Sequence, residues 1–211
     1  MIKLKFLLAI VLLALSGCTN VSNLPSNYVF SPDSETGILL ASVSYHGTYS
    51  GYSIKFRKVG GAEWQKIQIG SGTAFLPPGM LDWDIEAPGL RGNVFAIELP
   101  EGEYEFASWF VSSGVASIGP VDPFSIRFNI YPGNITYGGG FHFIRESGFG
   151  ATVTGVNVNY ENKYDRDVPI IRKKYRNLDT KLIKNNVEIT DPISKLGAGN
   201  STTITPIFIM Y

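Results

Sequence analysis

The sequence predicts a mainly β protein: an antiparallel two-sheet β-sandwich with one short helix at about 165–178. Three observations favour this fold class. Apolar and polar residues alternate almost everywhere beyond Gly37, turns rich in glycine and proline separate these stretches, and one late stretch has helical spacing instead. About nine or ten short strands joined in this way favour two packed sheets over one open sheet. A closed β-barrel is the alternative.

The first 17 residues have the layout of a secretory signal peptide. Lys3 and Lys5 precede an apolar run at 6–15, which ends in two small residues. The run is about ten residues long, whereas a membrane-spanning helix needs roughly twenty. We therefore expect a cleaved leader at 1–17 and not a transmembrane anchor.

The residues that follow this run, Leu15-Ser16-Gly17-Cys18, resemble the lipobox of bacterial lipoproteins. In that family a dedicated peptidase cuts before the cysteine, the thiol receives a diacylglyceryl group, and the new amino terminus is acylated. The resemblance implies lipidation of Cys18 and a lipid bilayer as partner, since several acyl chains give stable anchoring. Thr19 stands where inner-membrane lipoproteins carry aspartate, which implies the outer membrane of a bacterial envelope. An ordinary secretory signal with a chance cysteine is the alternative.

Residues 18–33 are polar, lack regular periodicity and contain two prolines. This composition predicts a lipidated tether ahead of a β-sandwich domain at 34–211. At about 3.3 to 3.6 Å per residue, an extended tether would hold the domain tens of ångströms from the bilayer.

Charge and cysteine content narrow the classes of partner. The chain has 18 basic and 18 acidic residues, and loss of the two leader lysines leaves the mature protein slightly negative. This balance gives no reason to expect nucleic acid as a partner. With its single cysteine acylated, the protein has no disulfide.

The strands begin with one at 38–45, and three turns then predict β-hairpins, at Gly60-Gly61, at 100–102 and at Pro132-Gly133. Further strands are expected at 141–144, 152–160 and 203–211. The alternating apolar residues around the three turns are Tyr52, Ile54, Phe56, Ile67 and Ile69; Phe95, Ile97, Leu99, Tyr104, Phe106 and Phe110; and Phe124, Ile126, Phe128, Ile130, Ile135 and Tyr137. Alternation of this kind is typical of antiparallel sheets with one solvated face.

The helix is expected at 165–178, where apolar residues recur every three or four positions. Its apolar stripe consists of Val168, Ile171, Tyr175 and Leu178. Asp165 or Asp167 can cap the start, and the basic residues at 172–176 suit the C-terminal end. We expect the helix to cover one edge or end of the sandwich. The basic run can contact anionic lipid head groups, or it can simply be the solvated face of the helix.

This succession of strands, with the turns "LPEGEYEF" and "IYPGNITYGG" and a late helix, resembles uncharacterised bacterial lipoproteins with a prealbumin-like or carboxypeptidase-regulatory-like β-sandwich. The resemblance covers most of the mature chain and implies the same sandwich fold. It brings no catalytic residues, so it implies no residue role beyond lipidation of Cys18.

Three acidic residues form the first group of candidate functional residues. Asp82, Asp84 and Glu86 alternate in "LDWDIEAP", which would place them along one strand face with neighbours roughly 6 to 7 Å apart. Clustered carboxylates bind calcium, and paired ones catalyse glycoside hydrolysis. A solvated strand face opposite Trp83 and Ile85 explains the same pattern, so calcium binding stays open.

Aromatic residues and histidines form the second group. Tyr45, Tyr49 and Tyr52 occur with glycines near the first strand, and exposed rings of this kind suit sugars or protein partners, although large rings also fill cores. His142 is expected on the surface, on the strand face opposite its two phenylalanine neighbours. For His46 we expect no metal or catalytic role, because no nucleophile motif accompanies either histidine.

These observations favour a non-enzymatic envelope lipoprotein that acts as a binding or assembly module, with a glycan or an envelope protein as its partner. We expect no catalytic residues, no cofactor and no metal. A carboxylate-dependent envelope hydrolase that uses Asp82, Asp84 or Glu86 is one alternative. A structural subunit that pairs through a free sheet edge, formed by the apolar segment 203–211, is the other.

Overall fold

Two six-stranded sheets pack face to face, which confirms the predicted two-sheet sandwich. The computed structural model describes residues 22–72 and 81–205, and 53% of these residues are in strands and 8% in helices. Within these ranges the sheets do not close into a barrel. The predicted signal peptide, Cys18, the start of the tether and the end of the last predicted strand lie outside the described residues.

The strands and helices have the following bounds. They are β1 Thr36–His46, β2 Gly51–Lys58, β3 Gln65–Ile69, β4 Ile85–Ala87, β5 Leu90–Pro100, β6 Gly102–Ser113, β7 Ala116–Pro120, β8 Ile126–Ile130, β9 Ile135–Phe149, β10 Thr152–Glu161, the helix α1 Tyr164–Lys174, a 3-10 helix Thr180–Leu182, β11 Ile183–Asn185 and β12 Asn200–Ile204. Sheet A has the order β10-β9-β1-β5-β4, with β11 paired to β9. Sheet B has the order β12-β7-β6-β2-β3, with β8 paired to β6.

Only the first of the three predicted hairpins is a hairpin. Strands β2 and β3 pair antiparallel around Gly60, whose φ of 75° suits glycine. The other two predictions are wrong, because the turn between β5 and β6 and the turn between β8 and β9 carry the chain from one sheet to the other. Strand β5 pairs with β1 along its whole length instead. Turn residues with flanking alternation do not distinguish a hairpin from a crossing between sheets.

Sheet A differs from the expected antiparallel sheet with one solvated face. Its central strand β1 lies antiparallel to β5 but parallel to β9. The residues at 38–41 are all fully buried, although they point alternately to both faces. Helix α1 covers the outer face of this sheet, and the chain segment before β1 is hydrogen-bonded along the backbone edge of β5. Together they account for the burial.

The core between the sheets is rich in aromatic rings. Phe106 is central, with its ring centroid 4.6 Å from that of Phe128 and 4.8 Å from that of Phe141. A register shift between β2 and β6 changes which residues of β6 point inward. As a result Trp109 is buried and donates to the Leu196 carbonyl at 2.8 Å, while Phe110, expected in the alternating apolar set, is half-buried on the outer face.

Helix α1 ends at Lys174, four residues before the predicted end, but its buried stripe continues into the following coil. The predicted caps are wrong: Lys163 holds the N-cap position without a side-chain cap, and Asn162 Oδ1 accepts from the Tyr164 amide at 3.2 Å. Asp167 is fully buried and accepts hydrogen bonds from the Tyr137 hydroxyl and from Arg166, both at 2.7 Å. The helix therefore lies on the outer face of sheet A and not at an edge. No helix among the described residues is long and apolar enough to span a membrane.

Candidate functional site

A groove of about 190 Å³ lies on the outer face of sheet B. Tyr52, Ile54 and Phe56 of β2 are buried in the core, so the intervening side chains point outward. Residues from β2, β3, β6 and the loop before β3 line the groove. They are Lys55, Trp64, Gln65, Lys66 and Ser108.

Two lysines face each other across this groove. The register of the first hairpin pairs Lys55 directly with Lys66, and the next strand pairs Lys55 with Ser108. Like charges directly opposite each other in an antiparallel pair are destabilising, by about 0.2 to 1 kcal/mol. Among the described residues no carboxylate forms a salt bridge with either lysine. Lys66 Nζ donates to Gln68 Oε1 at 2.9 Å, and Lys55 Nζ lies 5.2 Å from the centroid of the Phe110 ring. Both of these partners are uncharged, so the groove carries a pair of positive charges that no described carboxylate neutralises.

The aromatic wall of the groove is held in place by a chain of polar contacts. The Arg57 guanidinium lies 4.6 Å from the centroid of the Trp64 ring. Arg57 Nε donates to Glu105 at 2.8 Å, and Ser125 Oγ donates to the second oxygen of that carboxylate at 2.7 Å. The hydrogen bonds from Ser125 and Arg57 hold the pKa of Glu105 below its ordinary value. The guanidinium that packs against the indole ring is therefore itself bonded to Glu105.

Gln65, at the border of the groove, has a buried acceptor without a donor. The side-chain oxygen Oε1 of Gln65 is buried and has no hydrogen-bond partner among the described residues. A buried polar atom that lacks a partner costs about 1 to 3 kcal/mol. Gln65 is paired with the core residue Phe56, so this oxygen faces the interior of the sandwich and not the groove.

The tyrosines predicted as surface candidates do not form an open platform. Tyr45 and Tyr52 are buried, and their rings stack at a centroid distance of 4.9 Å inside the sandwich. Burial raises the pKa of Tyr52, whose hydroxyl donates to the Thr48 carbonyl at 2.5 Å. Tyr49 is half-buried and packs edge-on against Trp83 at 6.3 Å. The three rings close one end of the core.

The acidic candidates do not cluster into one site. The strand that was expected to align them spans only 85–87. Asp84 accepts from the Val94 amide at 3.0 Å and from Lys174 Nζ at 2.5 Å, whereas Glu86 forms a 3.1 Å ion pair with Arg91. Asp82 is exposed. Across residues 22–72 and 81–205, no three His, Cys, Asp or Glu side chains are arranged to hold a metal ion.

His142 is half-buried and not on the surface as expected. Its Nδ1 lies 2.9 Å from Ser44 Oγ, and burial lowers the pKa of the imidazole below its ordinary value. Ser44 is only 1% exposed, so its hydroxyl is closed to a substrate and the contact is structural. His46 is exposed at the end of β1.

The edge expected at 203–211 is described only in part. Strand β12 pairs with β7, forms one edge of sheet B, and is largely exposed. Residues 206–211, including Pro206, lie outside the described residues. The idea of a pairing edge therefore stays a prediction.

Sequence reasoning missed the lysine pair, although the signal was present. A turn centred between Gly60 and Gly61 sets the register of the hairpin, and that register places Lys55 opposite Lys66. No family model, curated protein or solved structure matches this chain. The resemblance to prealbumin-like lipoproteins thus stays a prediction, and the groove must be judged by its geometry and charge.

Proposed function

We propose that the protein is a lipid-anchored binding module of the bacterial cell envelope, which holds an acidic sugar in the groove on sheet B without reacting with it. The unneutralised cross-strand pair of Lys55 and Lys66 carries the proposal. Like charges directly opposite each other in an antiparallel pair cost stability unless an anion compensates them. A carboxylate is the simplest such anion, and it accepts charge-assisted hydrogen bonds from both ammonium groups.

The rest of the groove favours a sugar as the bearer of that carboxylate. The indole of Trp64 offers an apolar surface for the C–H face of a sugar ring. The volume of about 190 Å³ suits a single sugar residue. An acidic residue within a longer envelope glycan therefore fits this groove.

The predicted location in the cell envelope agrees with such a role. A signal peptide at 1–17 and acylation of Cys18 would hold the domain on the outer membrane, next to envelope glycans. A binding role is also supported over hydrolysis, because the ion pairs of Asp84 and Glu86 occupy two of the three carboxylates that a hydrolase would use.

Two experiments test the proposal. Cells that express the chain are labelled with radioactive palmitate, and we expect the label on the native protein but not on Cys18→Ala. A label that persists on the variant contradicts the anchoring at this residue. The mature protein in detergent micelles is then titrated with galacturonate and with galactose by calorimetry.

The calorimetric result depends on the lysines. We expect galacturonate to bind and galactose to bind at least about tenfold more weakly, since a charge-assisted bond contributes about 1.5 to 3 kcal/mol. Lys55→Met or Lys66→Met should lower the affinity for galacturonate by about tenfold or more. Lys58→Met, at the end of the same strand and outside the groove, is the matched control. Equal binding of the two sugars, or no effect of either groove variant, contradicts the proposal.

A further inference from the structure

The N-terminal part of the described chain is attached to the domain and is not a free tether. We refer to residues 22–28 as the docked segment. Asn23 Oδ1 accepts from the Ala96 amide at 2.8 Å and from the Tyr175 hydroxyl at 2.6 Å. The amide of Leu24 donates to the Ala96 carbonyl at 2.8 Å. These bonds fix the segment to β5 and to the coil that follows α1.

Contacts further along the docked segment hold it in the same position. Asn177 Nδ2 donates to the Asn27 carbonyl at 3.0 Å, and the Tyr28 hydroxyl donates to Glu98 at 2.7 Å. Burial and the bond to Glu98 raise the pKa of Tyr28 to about 12, so its hydroxyl stays protonated. The expectation of a free tether through residue 33 is therefore wrong for the residues from 22 onward.

Attachment of the segment shortens the reach of a lipid anchor. Asn23 is five positions after Cys18, and an extended chain covers at most roughly 3.6 Å per residue, or about 18 Å. A lipid on Cys18 would thus keep the outer face of sheet A within about this distance of the bilayer surface. A tether free up to residue 33 would allow a distance from the bilayer several times greater.

The surface beside the docked segment is basic. A groove of about 390 Å³ runs between the segment and the end of α1, lined by Ser26, Asn27, Lys173, Lys174, Arg176 and Asn177. Lys174 is neutralised by its ion pair with Asp84. Lys173 and Arg176 are exposed, and within the described part of the chain they have no salt-bridge or side-chain hydrogen-bond partner.

We infer that the docked segment, Lys173 and Arg176 form the membrane-facing surface of the protein and lie against anionic phospholipid head groups. The inference rests on the lipid anchor of the proposed function. The short reach brings this face to the bilayer, and each basic residue near an anionic surface strengthens contact by about a factor of five. Sheet B, on the far side of the sandwich, then presents its groove away from the membrane.

The geometry can be measured with a fluorescent dye on single introduced cysteines, because acylation leaves no free native thiol. Val29→Cys lies next to the docked segment and is 73% exposed in the native protein, whereas Gln68→Cys lies exposed on sheet B. The lipid-anchored protein is reconstituted in phosphatidylglycerol vesicles that carry a nitroxide quencher on the head group. We expect the dye at position 29 to be quenched at least about threefold more than the dye at position 68.

Two variants separate the basic surface from the docked segment. Lys173→Glu combined with Arg176→Glu should remove most of the difference in quenching, as should replacement of phosphatidylglycerol by phosphatidylcholine. Asn23→Ala removes two hydrogen bonds of the docked segment and should also reduce the difference in quenching. Lys58→Glu combined with Arg127→Glu, two charge reversals on sheet B, is the matched control and should leave it unchanged.

The outcomes distinguish this inference from the proposed function. Equal quenching at the two positions, in protein that carries the acyl label, overturns the inference alone. A difference in quenching that remains after both the charge reversal and the change of lipid overturns the role of Lys173 and Arg176. Absence of the acyl label overturns the anchor and, with it, the inference.

Discussion

The two outer faces of the sandwich differ in what covers them. The outer face of sheet A lies beneath α1, the docked segment is bonded along the edge of β5, and the side chains of this face are buried. The outer face of sheet B is open and carries the groove with two opposed lysines. The covered face contributes to stability, whereas the open face keeps an unfavourable pair of charges. On our proposal, the open face is the one that binds a ligand.

The buried carboxylate of the covered face should give the largest effect on stability. Asp167→Ala removes the acceptor for the Tyr137 hydroxyl and the ion-pair partner of Arg166. Breaking a buried ion pair by removing one partner costs about 3 to 5 kcal/mol, and we expect the free energy of unfolding in urea to fall by that amount. Asp165→Ala, in the same helical turn, is the control and should change it by less than about 0.5 kcal/mol.

Truncation of one apolar side chain on each face should sharpen the comparison. Leu40 is fully buried and lies opposite Ala96, to which the docked segment is bonded. Leu40→Ala should cost about 2 to 5 kcal/mol in urea unfolding. Phe110→Ala, at a half-buried position of the open face, should lower the free energy of unfolding by clearly less than Leu40→Ala. Equal losses would show that the two faces are covered to the same degree.

The pH dependence of stability should depend on His142. Burial lowers the pKa of this imidazole below 6.5 in the folded protein, so the unfolded chain binds a proton first as the pH falls. Stability is therefore fully present above about pH 6.5 and declines from there towards the folded pKa. In His142→Gln, the midpoint temperature of thermal unfolding should change less with pH across this range than in the native protein. His46→Gln, at the exposed end of the same sheet, serves as the control.

Sequence patterns predicted the faces of the sheets better than their connections. Alternation in β2 identified its buried residues, and the Gly60-Gly61 turn identified the first hairpin. The same kinds of signal at Gly102 and Gly133 led to two wrong hairpins, because local turn chemistry does not choose the partner strand. In β1, the unbroken apolar run at 38–41 is the signal of a strand buried on both faces.

The candidate site was harder to predict for a similar reason. Tyr45 and Tyr52 have the composition of a surface platform but stack within the core, since alternation alone does not say which face is solvated. Asp84 and Lys174 are ninety residues apart and meet only because α1 folds back over sheet A. The register shift that turns Trp109 inward leaves no signal in local composition.

The central claim is that the lysine pair of the open face is an anion site kept at a cost in stability, and Lys66→Glu tests it most directly. This single change turns a repulsive cross-strand pair into an attractive one. We predict that the variant is more stable in urea by about 0.5 kcal/mol and loses galacturonate binding in the calorimeter. A variant that is less stable than the native protein and still binds galacturonate would contradict the account.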